Sequence, residues 1–312
     1  MMDQACINSI MDLVFSSNMI EKGIYALEER PIEYESNDIN DDRHCVKMCI
    51  SDHLGFNRKA PLYEAWPAGN LLLFTVFDGV LENKYNLTEG ESFSKHYKAI
   101  PENDDFDIMT KNCYRILKII RNGIQHSLSS INHSNSKDYI INYSFNGTNF
   151  TLNITEEGTR SLYTYVTNFI TGKIKGLAQY ITDGHYKGIM RTIYETINAE
   201  ISNLSDEFGT SLLNIGQGLS LRASVRYPLI NPRIINQDDK SITFYHLENN
   251  GTDDETSAQY QYSTDYVYNG HLLPQELGKI NKYSGSCSEK RLTRGTITFN
   301  KSDINILWQI KN

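Results

Sequence analysis

Basic and amide side chains form a stripe along one predicted helix, and the stripe ends at a histidine. At about 100° per residue, one face of a helix predicted over about residues 106–131 carries Lys111, Arg115, Lys118, Asn122 and His126. Apolar residues occupy the opposite face, as in a core-facing helix. Lysine and arginine bind phosphate oxygens, a guanidinium stabilises transition-state charge, and imidazole transfers protons near neutral pH. The stripe therefore predicts phosphodiester chemistry. On RNA this chemistry needs no metal, because the 2′-hydroxyl supplies the nucleophile.

The last two turns of this helix carry a recognisable motif. Residues 121–126 read RNGIQH, which is an arginine, a polar residue, three further residues and a histidine. The motif resembles the Rx4–6H signature of HEPN domains, α-helical modules that are widespread in toxin–antitoxin, phage-defence and RNA-processing proteins. The resemblance covers about residues 62–200 in architecture and implies a metal-independent endoribonuclease. It also implies roles for three residues: Arg121 for phosphate and transition-state charge, His126 for proton transfer with the 2′-hydroxyl, and Asn122 for orientation.

The geometry of one helix separates the two main motif residues. Arg121 lies about 140° from His126 around the helix axis, so a single helix is poorly placed to aim both at one phosphate. HEPN domains pair so that their motifs face each other, which would bring Arg121 of one subunit toward His126 of the other. The resemblance therefore implies a homodimer with a composite site that acts on RNA. An antitoxin or another regulatory protein is a further expected partner.

Simpler interpretations remain open at this point. Arg121 and His126 also fit an exposed polar face of a bundle helix. Lys111, Arg115 and Lys118 fit a solvated surface as well as they fit an RNA-guiding role. The alternative function is a catalytically inactive, HEPN-like dimeric scaffold whose C-terminal region binds a partner.

Other candidate residues have structural explanations that we favour. Cys45, Cys49 and His53 are spaced to line one helix face, but zinc normally takes four ligands and no matching second pair is present. We therefore expect packing there and no metal or cofactor. We expect His133 to be a turn residue, and the tyrosines between residues 260 and 268 to lie on strands rather than stack on bases.

Apolar periodicity predicts an α+β fold with three regions. Residues 1–60 form a helical extension, with a helix to about Glu29 and an acidic loop after it. Residues 61–220 contain a β-hairpin at about 139–154, helices at about 68–85 and 157–203, and a last helical piece near residue 216. The resemblance implies that this region is a HEPN-like antiparallel helical bundle into which the hairpin is inserted. Residues 221–312 form a β-rich C-terminal region, and the composition changes near 215–235.

Composition limits the classes of protein further. The chain has 312 residues, 39% of them hydrophobic and 22% charged, and a formal net charge of −8. This acidic balance argues against non-specific coating of nucleic acid but is compatible with one local basic site. We expect no membrane span and no secretory signal, because the N-terminus lacks a basic start followed by an apolar core. The five scattered cysteines fit free thiols, so we expect a cytoplasmic protein.

Overall fold

The protein forms two compact units in this computed structural model, which describes residues 3–16, 25–31, 44–50, 62–126, 129, 131–133, 138–172, 181–221, 225–249, 262–282 and 292–311. The first unit comprises Met1–Gly23, Asp52–Gly172 and Ile193–Gln217. The second comprises Ile24–Ser51, Lys173–Thr192 and Gly218–Asn312. The fold is α+β, and its C-terminal region is rich in strands, as predicted.

The elements of the described residues follow in chain order. The helices are α1 (Gln4–Ser16), α2 (Leu62–Tyr85), α3 (Phe93–Ala99), α4 (Asp105–His126), α5 (Glu156–Thr171) and α6 (Asp183–Ala199). The strands are β1 (Tyr25–Pro31), β2 (His44–Ile50), β3 (Ile131–His133), β4 (Asp138–Phe145), β5 (Thr148–Thr155), β6 (Ile201–Ser205), β7 (Val225–Leu229), β8 (Ile234–Gln237), β9 (Ser241–Asn249), β10 (Tyr262–Tyr268), β11 (His271–Pro274), β12 (Lys279–Lys282) and β13 (Leu292–Asn300).

The first unit packs helices against one small sheet. Its strands pair antiparallel in the order β3-β4-β5-β6, and α4 packs against β4, β5, α2 and α5. The helices contribute fully buried residues to this core, among them Phe77, Leu81, Ile116, Leu117, Leu162 and Val166. The helix α4 therefore packs against both the helical layer and the sheet, and α5 also contacts β5.

The predicted hairpin is confirmed as β4 and β5. Their register pairs Tyr143 with Phe150 and Phe145 with Thr148, which leaves a two-residue turn. The turn residues, Asn146 and Gly147, have φ values of 49° and 77°. Positive φ at both positions is the type I′ geometry that matches the twist of paired strands, and Asn-Gly is its preferred sequence.

The second unit is built largely from two sheets. One has the order β1-β2-β7-β10-β11, in which only β7 and β10 pair in parallel, and the other has the order β12-β13-β9-β8. Phe244 and Phe299 of the second sheet pack on Tyr266 of the first, with ring centroids 5.4 and 5.6 Å from the tyrosine ring. The predicted strand character of the tyrosine segment is confirmed for β10, while Tyr260 lies outside the described residues.

The predicted N-terminal helical extension is wrong beyond α1. The helix ends at Ser16 instead of near Glu29, and Tyr25–Pro31 and His44–Ile50 pair as antiparallel strands. Strand pairing overrides the helix propensity of the Ala-Leu-Glu-Glu-Arg run in β1, because propensity is a weak preference. Cys45 and Cys49 consequently lie on a strand rather than on a helix, and His53 and the predicted acidic loop lie outside the described residues.

Three smaller expectations need correction. His133 is the last residue of β3 and pairs with Tyr139, so it is not a turn residue. Residues 201–205 form β6 instead of extending the preceding helix. No helix occurs at residues 206–221, where a last helical piece was expected. Several backbone groups of this segment form hydrogen bonds with side chains of α4, as described below.

The helices of the described residues were also compared with the requirements of a membrane span. None is both long enough and apolar enough to cross a bilayer.

Replacing Gly147 by valine should destabilise the protein by about 1–2 kcal/mol, because a β-branched L-residue is strained at positive φ. Gly147→Asn is the matched variant and should cost less, since asparagine tolerates this conformation. Urea unfolding followed by circular dichroism measures both free energies. Equal losses in the two variants would contradict the assignment of the turn.

Candidate functional site

The helix α4 is positioned by its first turn and by one glycine. The Asp104 carboxylate accepts a hydrogen bond from the Asp107 backbone N–H at 2.9 Å, and the acids of the first turn suit the positive end of the helix dipole. Near the other end, a β-carbon on Gly123 would lie 3.0 Å from Cγ2 of Ile141. The glycine inside the RNGIQH motif therefore allows the helix to approach the sheet closely.

The expected solvent-facing basic stripe is absent, because its three cations are buried. Lys111, Arg115 and Lys118 are only 4%, 1% and 4% exposed, so both faces of α4 lie in the interior of the first unit. Burying a charge is costly unless the charge is paired. Each of the three cations forms an ion pair with a carboxylate. These three residues therefore present no exposed surface that could guide RNA, which was the role predicted for them.

Arg115 has the most complete set of partners. Its Nε and Nη2 atoms donate to the Asp206 carboxylate at 2.9 and 2.6 Å. Its remaining bonds go to the carbonyls of Ser211, 2.7 Å from Nη1, and Gly209, 2.6 Å from Nη2. A fork of two parallel bonds to a carboxylate is the strongest arrangement available to arginine. The guanidinium therefore acts as a structural tie in the core.

The two lysines of the stripe are also paired with carboxylates. Lys111 Nζ donates to Glu102 at 2.7 Å and to the Ile100 carbonyl at 3.0 Å. Lys118 pairs with Glu207, and its ammonium lies over the rings of Phe93 and Phe150 at 4.7 and 4.5 Å. Burial lowers the pKa of Lys118 below its ordinary value, although Glu207 opposes this change.

Residues 206–217, which we call the covering segment, lie along α4 and form hydrogen bonds with its polar side chains. Besides Arg115 and Lys118, two further residues of α4 contribute. Asn112 bonds both backbone groups of Leu213, with Nδ2 donating to the carbonyl at 2.9 Å and Oδ1 accepting from the N–H at 3.0 Å. Asp105 accepts from the Gly216 N–H at 2.8 Å. Polar side chains of α4 thus satisfy backbone groups of a segment that forms no helix and only one isolated β-bridge, between Asp206 and Gly209.

Arg121 and Asn122, the first two motif residues, contact each other. Nη1 of Arg121 donates to Oδ1 of Asn122 at 2.8 Å, and the Arg121 guanidinium lies 5.6 Å from the centroid of the Phe74 ring. Asn122 is 9% exposed, whereas Arg121 is half-buried. The guanidinium is thus directed toward α2, and an amide and an aromatic ring fix its position.

His126 stands apart from these two residues. It is exposed, and its ring stacks on Phe145 with centroids 5.1 Å apart and planes inclined by 19°. Phe145 is itself 43% exposed and lies at the end of β4, next to the Asn146–Gly147 turn. The hairpin therefore holds the imidazole at the surface, in contact with water.

The two halves of the motif consequently face different neighbours. Arg121 rests on α2 and His126 rests on the hairpin, as their separation around the helix predicts. In one chain the guanidinium and the imidazole of the motif therefore lie in separate places.

A second polar cluster in the first unit was missed by the sequence reasoning. Asp78 and Glu82 of α2 and His96 of α3 offer ligand atoms that all lie within 4.8 Å of one another. Burial alone would lower the pKa of His96, but the Thr88 carbonyl and Asp78 outweigh it and raise the pKa above its ordinary value. The available signal was the i,i+4 pair of acids on an apolar helix, which places both carboxylates on one face.

Comparison with known proteins gives no family assignment. No protein-family model, curated protein or solved structure matches the chain.

Arg115→Ala should lower the free energy of unfolding by about 3–5 kcal/mol, because it leaves the buried Asp206 carboxylate unpaired. Lys98→Ala removes an exposed cation from the neighbouring helix and should change stability by no more than about 0.5 kcal/mol. Urea unfolding of both variants makes the comparison. A loss for Arg115→Ala as small as that of the control would show that the tie contributes little.

Proposed function

We propose that the protein is a metal-independent endoribonuclease of the HEPN type, a cytoplasmic toxin or phage-defence effector that acts as a homodimer. Arg121 binds the scissile phosphate and stabilises the transition state, His126 transfers protons with the 2′-hydroxyl, and Asn122 orients the arginine. An antitoxin or regulatory protein is the expected partner that restrains it. The resemblance of the RNGIQH motif to the HEPN signature supplies these roles.

The observation that carries the proposal is the state of the motif at the end of α4. Other polar residues of the helix are consumed by structural bonds, including Asn112 and Arg115. His126 instead remains exposed and held in a fixed ring stack. Among the described residues, Arg121 donates a hydrogen bond to the neutral amide of Asn122 and forms no ion pair, so no described carboxylate neutralises its charge. Both side chains therefore remain able to contact a phosphate, which supports the proposed role.

The neutralised stripe changes how such an enzyme would bind RNA. With Lys111, Arg115 and Lys118 paired to carboxylates, phosphate binding depends on Arg121 and on residues of the second subunit. Few phosphate contacts mean a shallow dependence of binding on salt. The enzyme would therefore bind a short stretch of RNA.

His126→Ala and Arg121→Ala should each reduce RNA cleavage at least about 100-fold, the contribution typical of a proton-transfer group, without changing the fold. Gln125→Ala alters an exposed neighbour on the same turn and should retain wild-type activity. Cleavage of several RNAs is followed by gel electrophoresis, with and without chelator, well below the unfolding temperature. Lack of cleavage by the wild type, or its loss in chelator while the protein stays folded, would contradict the proposal.

The composite site can be tested by mixing two inactive variants. In a dimer of one Arg121→Ala chain and one His126→Ala chain, one of the two sites retains both groups. Random exchange of subunits should therefore restore about a quarter of wild-type activity, because half of the dimers are mixed. If each chain uses its own Arg121 and His126, the mixture stays inactive. Sedimentation of the variants checks that both remain dimeric.

An inactive dimeric scaffold is the second candidate, and the burial of the basic stripe favours it. Because Lys111, Arg115 and Lys118 are buried, α4 offers a polyanion little positive surface beyond Arg121. The Arg121→Ala/His126→Ala double variant should then retain the full biological effect of the protein. Loss of that effect in the double variant, with the fold preserved, favours the nuclease.

A further inference from the structure

The cluster of Asp78, Glu82 and His96 lies between two helices of the first unit and takes no part in the proposed nuclease site. The His96 side chain is 3% exposed and Glu82 is 9% exposed, while Asp78 is 30% exposed. The cluster is therefore almost entirely buried but opens to solvent on the side of Asp78. These residues could receive a small ion from solution without unfolding of the unit.

Glu82 provides the observation that points to a ligand. Within the described part of the chain its carboxylate accepts no hydrogen bond, and its only ion-pair contact is His96 Nε2 at 3.7 Å. A buried carboxylate without hydrogen bonds carries a large desolvation cost. The described protein groups therefore supply no close partner for the Glu82 carboxylate, and a bound cation would supply one.

Charge balance in the cluster favours a divalent ion. Two carboxylates carry two negative charges, and no lysine or arginine among the described residues forms an ion pair with Asp78 or Glu82. A divalent cation would offset both of these charges, as is usual for carboxylates buried at a metal.

The contacts of His96 match those of a metal-binding histidine. Nδ1 lies 3.1 Å from Asp78 Oδ1, close to the spacing of about 3.3 Å between two ligand atoms of a tetrahedral zinc ion with bonds near 2 Å. Nε2 lies 2.8 Å from the Thr88 carbonyl. Metal-binding histidines typically donate their second N–H to a carbonyl or carboxylate, which fixes the ring. Nδ1 thus faces Asp78, while the Glu82 carboxylate lies 3.7 Å from Nε2, and one ligand atom from each of the three residues lies within 4.8 Å of the other two.

Tyr114 supports Asp78 from α4. Its hydroxyl donates to Asp78 Oδ1, and its ring stacks on Phe74 with centroids 5.5 Å apart. Carboxylates that bind metals are usually held by such outer hydrogen bonds. Tyr114 thus holds Asp78, the more exposed of the two carboxylates, in a fixed position, while Glu82 is the buried one.

We propose that Asp78, Glu82 and His96 bind one divalent transition-metal ion, with His96 bonding through Nδ1 and solvent completing the coordination. Imidazole with two carboxylates suits zinc, whereas magnesium and calcium prefer oxygen alone. The ion links α2 to α3 and stabilises the first unit. The inference does not rest on the proposed nuclease activity, which uses Arg121 and His126.

The test is a titration of the chelator-treated full chain with Zn²⁺, in competition with a chromogenic chelator at neutral pH. One ion should bind per chain, and excess Mg²⁺ should not displace it. Asp78→Asn, Glu82→Gln and His96→Asn should each weaken binding at least about tenfold. His271→Asn, which changes a histidine far from the cluster in the sequence, is the matched control and should bind as the wild type does.

Thermal unfolding gives a second readout that does not require every variant to bind or fold well. The Tm of the wild type and of His271→Asn should rise with Zn²⁺ concentration, because an ion that binds only the native state stabilises it. Glu82→Gln keeps the size and shape of the side chain, and its Tm should not respond. Absence of saturable binding by the wild type, or unchanged affinity in Asp78→Asn and Glu82→Gln, overturns the proposal.

Discussion

The buried ion pair between Arg115 and Asp206 is the interaction on which the first unit depends. It joins the middle of α4 to the covering segment, and the same guanidinium satisfies the Ser211 and Gly209 carbonyls. A buried pair is weak evidence of net stability, but the loss of one partner is severe because the other charge remains in the interior. The pair therefore specifies the path of the segment more than it adds free energy. Through that path it also determines which polar residues of α4 remain available for chemistry.

Local periodicity predicted the helices and strands whose formation depends on residues close together in the sequence. The helices α2, α4 and α5 and the hairpin of β4 and β5 follow from apolar spacing and from one Asn-Gly turn. The strands β1 and β2 were missed because β2 completes its sheet by pairing with β7, which is remote in the sequence. The path of the covering segment was missed because the hydrogen bonds that join it to α4 come from side chains, and no backbone pattern encodes them.

The sequence predicted which residues form the motif and where on the helix they lie, but not which residues surround them. The RNGIQH motif and its place at the end of an amphipathic helix are legible in the sequence. The burial of Arg115 is not, because the acid that neutralises it lies 91 residues away. A helical wheel sorts residues by polarity and cannot distinguish a face that meets water from one that meets a polar segment. The Asp78, Glu82 and His96 cluster escaped notice for a similar reason, since its members lie on two helices.

The pairing of β2 with β7 has a consequence for the order in which the chain can fold. Cys45 is opposite Leu229, so the N-terminal strands leave the ribosome long before the strand that they join. The first unit can collapse in the meantime, because most of its chain lies between them. During this interval β2 has an open edge that other chains can join. Pairing between such distant residues is also intrinsically slow. Synthesis of this protein therefore includes a period in which its earliest strands are exposed to misassociation.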